Sequence, residues 1–293
     1  MAVDWLVTGA GGQLGSVLFR RLLHRGESAV GTLSTGGPGP TSGPTVRLDL
    51  TDFGALERLV GQAQPRVIVH TAAVTSVDQA WKAPAVARRT NIDVTSELAR
   101  LATDMGCRLV FLSTDLVFDG TSAPYAEDAD IAPLSVYSQT KAEAEKAVRA
   151  CPSGLVIRPA LMYGVPAVGR PTTFLSQLEA LRTGQPLRLF EDEYRTPLWL
   201  EDAAAACIEA GRSEITGVLH VAGPERLSRL EMGLAMAQAL GVKVNHVVAI
   251  RQTELATPEP RPADVSLDCR LYSQLFGHPP GRPMAQALLK ITP

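Results

Sequence analysis

The chain has 293 residues, of which 45% are hydrophobic and 20% are charged, and its formal net charge is −2. This length fits one large domain, or a large domain with a small partner, and the hydrophobic content can fill a sizeable core. The charge provides no basic field for nucleic acid, and an aromatic content of 5% argues against a base-stacking surface. No run approaches the ~18 apolar residues of a membrane span, so we expect neither a nucleic-acid nor a membrane partner.

The four cysteines lie far apart and form no Cys-x-x-Cys motif, so we expect no disulfide framework, no metal site and a reducing compartment. They are Cys107, Cys151, Cys207 and Cys269. The N-terminus runs directly into an apolar segment at residues 3–7 without a basic flank, which is typical of a strand and not of a signal peptide. These features predict a cytoplasmic protein.

Short apolar runs alternate with helical patterns through the first 150 residues. Strands are predicted at 5–8, 29–33, 46–48, 67–70, 108–112 and 155–158. Helices are predicted at 13–25, 52–62 with Thr51 as the cap, 93–105 with Gly106 at its end, and 137–150. This rhythm predicts an α/β fold, a doubly wound parallel (Rossmann) sheet whose ligands bind at the carboxyl ends of the strands.

The pattern changes after Pro159, where proline-rich connections separate short elements. We predict a dinucleotide-binding domain at 1–158 and a smaller C-terminal lobe, mainly substrate-binding, at 159–293. Helices are expected near 174–182 and 202–211. Segments within about 195–225 are expected to return to the main sheet, with 219–221 as a candidate strand. Residues 36–44 are rich in glycine and proline and predict a flexible loop.

The first strand opens into a glycine motif, GAGGQLG at 9–15, that is followed by a helix. Gly9 permits a tight turn, Gly12 allows the backbone to approach a pyrophosphate, and Gly15 allows close packing of helix and strand. The helix N-terminus offers free N–H groups to phosphates. A plain glycine-rich turn is the alternative, but the strand before and the helix after favour a dinucleotide site.

The choice between NAD and NADP depends on the end of the second strand. An acidic residue there would bind the ribose hydroxyls and select NAD, but the chain has Ser34 and Thr35 and neither acid nor arginine. Their hydroxyls could bond a 2′-phosphate, so we expect NADP(H), with NAD(H) as the alternative. Asp49, after the third strand, could bond the adenine amino group or could be a turn or helix-cap residue.

Tyr137 and Lys141 are four residues apart and would share one face of a helix. A nearby ammonium favours the phenolate, so we expect it to lower the pKa of Tyr137, which would pass a proton to a carbonyl oxygen. A hydroxyl from Thr114 (or Ser113), just past a buried strand, would bond the same oxygen. Asp115 would orient the hydroxyls or touch substrate, or only bond the backbone. A solvated helix face remains the alternative for the Tyr-x-x-x-Lys pair alone.

These residues resemble the extended short-chain dehydrogenase/reductase family, and within it the dTDP-4-dehydrorhamnose reductase (RmlD-like) group. The similarity runs from Gly9 to Leu271. Matching stretches are GAGGQLG (9–15), LDLTD (48–52), HTAAVTSVDQA (70–80), STDLVFDG (113–120), YSQTK (137–141), RPALMYG (158–164), RTPLWLEDAA (195–204), GVLHVAG (217–223) and RPADVSLD (261–268), together with the helix carrying Asn91.

The resemblance implies three sets of site residues. Thr114, Tyr137 and Lys141 would be catalytic. Cofactor contacts would fall on Gly12, Gln13, Leu14, Asp49, Ala72 and Ala73, together with Tyr137 and Lys141. The full predicted cofactor site also includes Gly9, Gly15, Ser34, Thr35, Leu50 and Asn91. Substrate contacts would fall on Thr75, Asp115, Val117, Arg195 and Arg261. Arg195, Thr196 and Arg261 are candidates for the nucleotide diphosphate, since guanidinium suits phosphate, although structural salt bridges explain an arginine at least as often.

The resemblance predicts an NAD(P)H-dependent reductase of a nucleotide-linked 4-keto-6-deoxy sugar, with a homodimer as one option for its assembly. Leu116, and Leu161 or Met162, stand where the family usually has aromatic residues near the sugar. This leaves the sugar open and motivates a second hypothesis, a non-catalytic, cofactor-binding regulatory subunit like the β subunit of methionine adenosyltransferase. A nucleotide-sugar epimerase or dehydratase, in which the cofactor is not consumed, is a third.

Overall fold

A computed structural model describes residues 2–40 and 42–291 of the chain. Its strands are β1 (Trp5–Thr8), β2 (Ala29–Leu33), β3 (Thr45–Arg47), β4 (Val67–His70), β5 (Arg108–Leu112), β6 (Gly154–Pro159), β7 (Met162–Tyr163), β8 (Leu187–Phe190), β9 (Tyr194–Arg195), β10 (Leu198–Trp199), β11 (Gly217–Val221), β12 (Leu227–Ser228) and β13 (Val247–Ile250). Its helices are α1 (Gln13–His24), α2 (Phe53–Ala63), α3 (Val77–Lys82), α4 (Pro84–Arg88), α5 (Val94–Met105), α6 (Val136–Ala150), α7 (Thr173–Thr183), α8 (Leu200–Arg212), α9 (Arg229–Leu240), α10 (Arg270–Phe276) and α11 (Met284–Leu288).

The main sheet has seven parallel strands in the order β11-β6-β5-β4-β1-β2-β3. β1 and β4 are buried along their whole length, as strands covered on both faces must be. The predicted α/β, doubly wound parallel fold is therefore confirmed. Because the strand order reverses beside β1, the carboxyl ends of β1 and β4 border the crevice in which such folds bind ligands.

Helices cover the two faces of this sheet with separate apolar cores. On one face α1 and α8 pack on the sheet through residues such as Val17, Leu18 and Cys207. On the other face α2, α5 and α6 contribute a core that includes Leu56 and Leu98. The amphipathic spacing of the helices thus buries one stripe of each against the strands.

Most helix boundaries follow the local signals, with one correction at α2. Thr51 is not the cap of this helix. Asp52 caps it instead, because its Oδ1 accepts a hydrogen bond from the amide of Ala55 at 3.0 Å. At α5 the predicted end is confirmed, since Gly106 follows the helix with a φ of +64°, a conformation that glycine adopts without strain.

The chain after β6 contributes one strand to the sheet and builds smaller pairs outside it. β11 pairs with β6, as predicted for 219–221, whereas β9 pairs with β12 and β10 pairs with β7. A further apolar core there includes Tyr163, Phe174 and Trp199. The division at 158/159 stays a prediction. Within the described part of the chain, no helix combines the length and the hydropathy that a membrane span requires.

Candidate active site

The glycine motif forms a tight turn between β1 and α1. Gly9 has a φ of +72°, and a Cβ added there would lie 2.9 Å from Cα of Ala72. A Cβ on Gly15 would lie 2.2 Å from the carbonyl oxygen of Gly9. Only glycine allows these approaches. The turn therefore places the start of α1 beside Ala72 and Ala73, which follow β4 at the same edge of the sheet.

The start of α1 is open to a phosphate group. Gly12 is the N-cap and has no side chain to bond the first-turn amides, which carry partial positive charge. Leu14 is buried in the core, so its backbone amide and not its side chain would make the predicted contact. Gln13 Nε2 donates to the carbonyl oxygen of Met162 at 3.5 Å. The turn fits the diphosphate of a dinucleotide.

At the ends of β2 and β3, Ser34 and Thr35 are exposed, and Leu50 packs against the core. Asp49 Oδ1 accepts hydrogen bonds from the amide and hydroxyl of Thr51 at 2.9 and 2.8 Å. These bonds hold the pKa of Asp49 below its ordinary value. The Asp49 carboxylate thus has the turn role that the sequence offered as one of two alternatives. Its contact with the adenine amino group stays a prediction.

Two predicted contact residues are enclosed in the structure. Asn91 is fully buried, accepts from the amide of Val74 at 2.8 Å, and donates to the Val74 carbonyl and the Thr140 hydroxyl at 3.1 and 2.9 Å. It holds the segment after β4 against α6, so the predicted cofactor contact is corrected to a positioning role. Val117 is also fully buried, in a core with Phe118. Its predicted substrate contact is wrong because its side chain has no exposed surface.

The three predicted catalytic residues lie at the carboxyl edge of the sheet. Thr114 follows β5, while Tyr137 and Lys141 lie in the first two turns of α6. Ser135 caps α6 through a reciprocal pair of hydrogen bonds with Ser138, which fixes where the helix begins. Thr114 Oγ1 accepts a hydrogen bond from the amide of Leu116 at 3.2 Å and lies close enough to the Tyr137 phenol to influence its pKa. The phenol and the hydroxyl are thus brought together, as the sequence predicts.

The expected lowering of the Tyr137 pKa is wrong for this structure. Burial of the phenol raises its pKa to about 12, the Thr114 hydroxyl opposes that rise, and Asp115 adds to it. The physical reason is desolvation, which disfavours the charged phenolate more strongly than the Thr114 hydroxyl favours it. Tyr137 is therefore a protonated donor at neutral pH.

Lys141 is buried, with its Nζ 3.9 Å from the ring centroid of Phe111. Burial lowers the pKa of Lys141 to about 7, and the charge of Glu145 opposes that change. His70, which is influenced by the charge of Lys141, bonds the hydroxyls of Thr8 and Thr95 at 2.7 and 3.1 Å. Burial and the charge of Lys141 lower the pKa of His70 to about 3, so the imidazole is uncharged at neutral pH.

Sequence reasoning did not identify Glu145, which is buried one turn after Lys141 on the same helix face. Its carboxylate accepts hydrogen bonds from Arg158 Nε and Nη2 at 3.0 and 2.8 Å and from the Ser113 hydroxyl at 2.5 Å. The network joins α6 to β5 and β6 directly before Thr114. The four-residue spacing from Lys141 was a signal that could have found it.

A pocket opens next to this edge and is lined from both halves of the chain. It is bordered by Val77, Asp115, Leu116, Leu134, Ser135, Ser138, Leu161, Glu193, Arg195, Arg229, Pro260, Arg261 and Pro262. Asp115 accepts a hydrogen bond from the amide of Leu161 at 3.2 Å. Burial raises the pKa of Asp115 to about 6 against the opposing charge of Arg195.

Three guanidinium groups surround one buried carboxylate in this pocket. Arg195, Arg229 and Arg261 lie 3.3, 3.9 and 2.7 Å from the carboxylate oxygens of Glu193. The predicted pair Arg195 and Arg261 is thus brought together, and Arg229 and Glu193 are additions. Sequence reasoning missed them because they come from β12–α9 and the β8–β9 connection, separated by 36 positions, with no local pattern.

The remaining predicted residues contribute less. Thr75 is exposed beyond β4 and does not border the pocket. Thr196, also considered for a diphosphate, accepts a hydrogen bond from the amide of Leu267 at 3.2 Å. Residues 2–40 and 42–291 hold no group of three or more histidine, cysteine or acidic side chains arranged for a metal ion; the absence of a metal from the protein stays a prediction.

A model of the RmlD substrate binding domain matches residues 3–290 of the chain. The chain belongs to this family. The predicted RmlD-like resemblance is therefore confirmed.

Individual relatives of the RmlD family differ in what they do. The chain is 30% identical to dTDP-4-dehydrorhamnose reductase of Mycobacterium tuberculosis (strain CDC 1551 / Oshkosh), over 97% of this chain and 90% of that protein. It is also 30% identical to methionine adenosyltransferase 2 subunit beta of Xenopus laevis, over 90% and 80%. Among solved structures, a dTDP-4-dehydrorhamnose reductase from Clostridium acetobutylicum has a TM-score of 0.86 at 25% identity, covering 98% and 97%.

Proposed function

We propose that the protein is an NAD(P)H-dependent reductase of a nucleotide-linked 4-keto-6-deoxy sugar. The observation that carries this proposal is the closeness of Tyr137 and Thr114, with Lys141 one turn on, at the edge of the sheet that also holds the glycine turn. The similarity to the Mycobacterium tuberculosis dTDP-4-dehydrorhamnose reductase supports the same substrate class.

Different residues of the site would bind the cofactor and transfer the proton. The glycine turn and first-turn amides of α1 would hold the diphosphate of the cofactor, and Ala72 and Ala73 would border it. The cofactor would supply a hydride to the carbonyl carbon. Thr114 would hold the carbonyl oxygen by a hydrogen bond while Tyr137 gives it a proton, so that C=O becomes CH–OH. Charged Lys141 would stabilise the phenolate that remains.

The pocket would hold the sugar and its nucleotide diphosphate. Arg195, Arg229 and Arg261 provide three positive charges against the two carboxylates of Glu193 and Asp115, which leaves an excess of positive charge suited to phosphate. A cytoplasmic location and a homodimer stay predictions.

A non-catalytic, cofactor-binding regulatory subunit is a second candidate function. The similarity to methionine adenosyltransferase 2 subunit beta favours it, whereas the complete set of Thr114, Tyr137 and Lys141 favours turnover.

Turnover separates the two candidates. The purified protein is mixed with NADPH and a panel of nucleotide-linked 4-keto-6-deoxy sugars, and the absorbance of the reduced nicotinamide is followed. We expect oxidation of NADPH with at least one sugar and a rate about 10²–10⁴-fold lower in Tyr137→Phe, because that variant lacks the proton donor. Binding of NADPH without oxidation by any sugar would favour the regulatory subunit.

A further inference from the structure

Arg47 is an exposed cation beside the end of β2. It is the last residue of β3, and the parallel register places it opposite Leu33, the last residue of β2. The side chain is exposed, and within residues 2–40 and 42–291 no carboxylate lies within 4.0 Å of it. The third strand therefore brings an arginine to the place where the second strand itself has none.

The guanidinium of Arg47 holds the loop that follows β2. Its Nη1 donates to the carbonyl oxygens of Ser34 and Gly37, each at 2.9 Å. The same loop lies against the glycine turn, since a Cβ added at Gly11 would be 2.2 Å from the carbonyl oxygen of Pro38. The loop therefore connects Arg47 to the glycine turn.

The unused part of the guanidinium has the geometry of a phosphate ligand. Arginine carries five N–H donors, and the two on Nη1 are occupied by the loop carbonyls. Nε and Nη2 have no acceptor among the residues that the structure describes. These two groups form the parallel fork that binds a phosphate through two hydrogen bonds. In dinucleotide folds the ribose 2′ position lies at the end of the second strand.

We propose that Arg47 is the residue that selects NADP(H) over NAD(H), with its Nε–Nη2 edge on the 2′-phosphate and its Nη1 on the loop. The inference rests on the proposed nicotinamide function and deepens it, because it assigns the cofactor preference to a residue of β3. Ser34 and Thr35 then assist the arginine and do not determine the preference.

The test is equilibrium binding of NADPH and of NADH, measured by fluorescence titration of wild type, Arg47→Gln, Arg47→Lys and Arg66→Gln. Arg66→Gln is the matched control, because Arg66 is an exposed arginine at the opposite end of the sheet, 3.7 Å from Asp4. In Arg47→Gln we expect the dissociation constant for NADPH to rise about tenfold or more, since a charged hydrogen-bonding group is lost. The constant for NADH should change less than about twofold.

The other outcomes each bear on a different claim. Arg47→Lys keeps the charge without the fork and should lie between wild type and Arg47→Gln. An equal loss of NADPH and NADH affinity in Arg47→Gln would assign Arg47 to loop structure only, and unchanged affinities would remove it from the site. Either result overturns the inference and leaves the proposed function standing. If wild type binds neither nucleotide, the proposed function fails and the inference fails with it.

Discussion

Protonation of two buried side chains of α6, Tyr137 and Lys141, decides what each residue can do. The phenol, with a pKa raised to about 12, holds its proton throughout the neutral range, whereas the amine, with a pKa lowered to about 7, changes charge within it. Proton donation leaves a phenolate that a neighbouring cation stabilises. The rate of carbonyl reduction should therefore depend on the charge of Lys141 and not on ionisation of Tyr137.

We expect kcat/KM for reduction to fall as the pH rises through about 7, because kcat/KM reports ionisations of the free enzyme and Lys141 loses its proton there. The measurement is a pH profile of wild type and Lys141→Met. In the variant, kcat/KM should be reduced by a factor of about 10² or more, and it should not fall further as the pH rises through about 7. In Asp115→Asn the fall should persist, although Asp115 itself has a pKa raised to about 6. An unchanged fall in Lys141→Met would assign it to another group.

The same amine should reduce stability. The folded-state pKa of Lys141 is lowered from 10.5 to about 7, so the unfolded chain binds more protons between these values. Burial of this amine therefore costs no stability above pH 10.5, and the cost grows as the pH falls and is complete below about pH 7. Lys141→Met should therefore have a higher melting temperature than wild type at pH 7 and below, with a smaller difference near pH 10. Thermal unfolding across this range measures it, and a lower melting temperature at pH 7 would contradict it.

The turn between β1 and α1 depends on the absence of side chains. A Cβ at Gly15 would lie 2.2 Å from the Gly9 carbonyl oxygen and 2.6 Å from the Thr71 hydroxyl, whereas a Cβ at Gly61 in α2 would meet nothing within 4 Å. Gly15→Ala should therefore lose most NADPH affinity, because α1 must move away from the turn. Gly61→Ala should keep that affinity and gain roughly 0.5–1 kcal/mol of stability. Titration with NADPH and thermal unfolding of both variants test this, and normal binding by Gly15→Ala would contradict it.

The ion pair of Glu145 and Arg158 joins α6 to β6 in the interior, where both side chains are at most 3% exposed. Glu145→Gln leaves a buried cation unpaired and should cost about 3–5 kcal/mol. The matched control is Glu143→Gln on the exposed face of α6, where the pair with Lys146 is solvated and worth about 1 kcal/mol or less. Denaturant unfolding of the two variants gives the comparison. Equal, small losses would show that the buried pair does not hold α6 in place.

Local sequence patterns predict the strands and helices of this fold well, but they do not predict the pKa values of buried side chains. The apolar runs at 5–8, 29–33, 67–70 and 108–112 coincide with β1, β2, β4 and β5, because each run has to be buried on both faces. The cap at Asp52 in place of Thr51 was missed because adjacent residues compete for the same role. The pKa of Tyr137 was missed because burial depends on the packing of the whole molecule.

In the candidate site, too, some features could be predicted from the sequence and others could not. The order of the glycine motif, Thr114, Tyr137 and Lys141 in the chain predicts their meeting at one edge, since parallel strands end together. The burial of Val117 and Asn91 and the convergence of three arginines on Glu193 depend on contacts between distant segments. No periodicity in the sequence contains that information.

The pocket brings together the sheet edge and the segments after β8. Arg261 is its most exposed guanidinium, with a side chain that is 41% exposed and 2.7 Å from the Glu193 carboxylate. Arg261→Gln should raise the KM for the nucleotide sugar about tenfold while kcat changes little, because phosphate binding stabilises ground and transition states alike. Arg226→Gln, which removes a surface partner of Asp264, is the matched control. Steady-state kinetics that show equal KM values would remove Arg261 from the substrate site.

The central claim is that Tyr137 gives the proton when a carbonyl substrate is reduced. It is tested most directly by single-turnover oxidation of bound NADPH on mixing with a nucleotide-linked 4-keto-6-deoxy sugar, in wild type and in Tyr137→Phe with equal NADPH occupancy. We predict a rate in the variant that is lower by about 10²–10⁴-fold, with NADPH affinity retained. Oxidation at the wild-type rate in Tyr137→Phe would contradict the account.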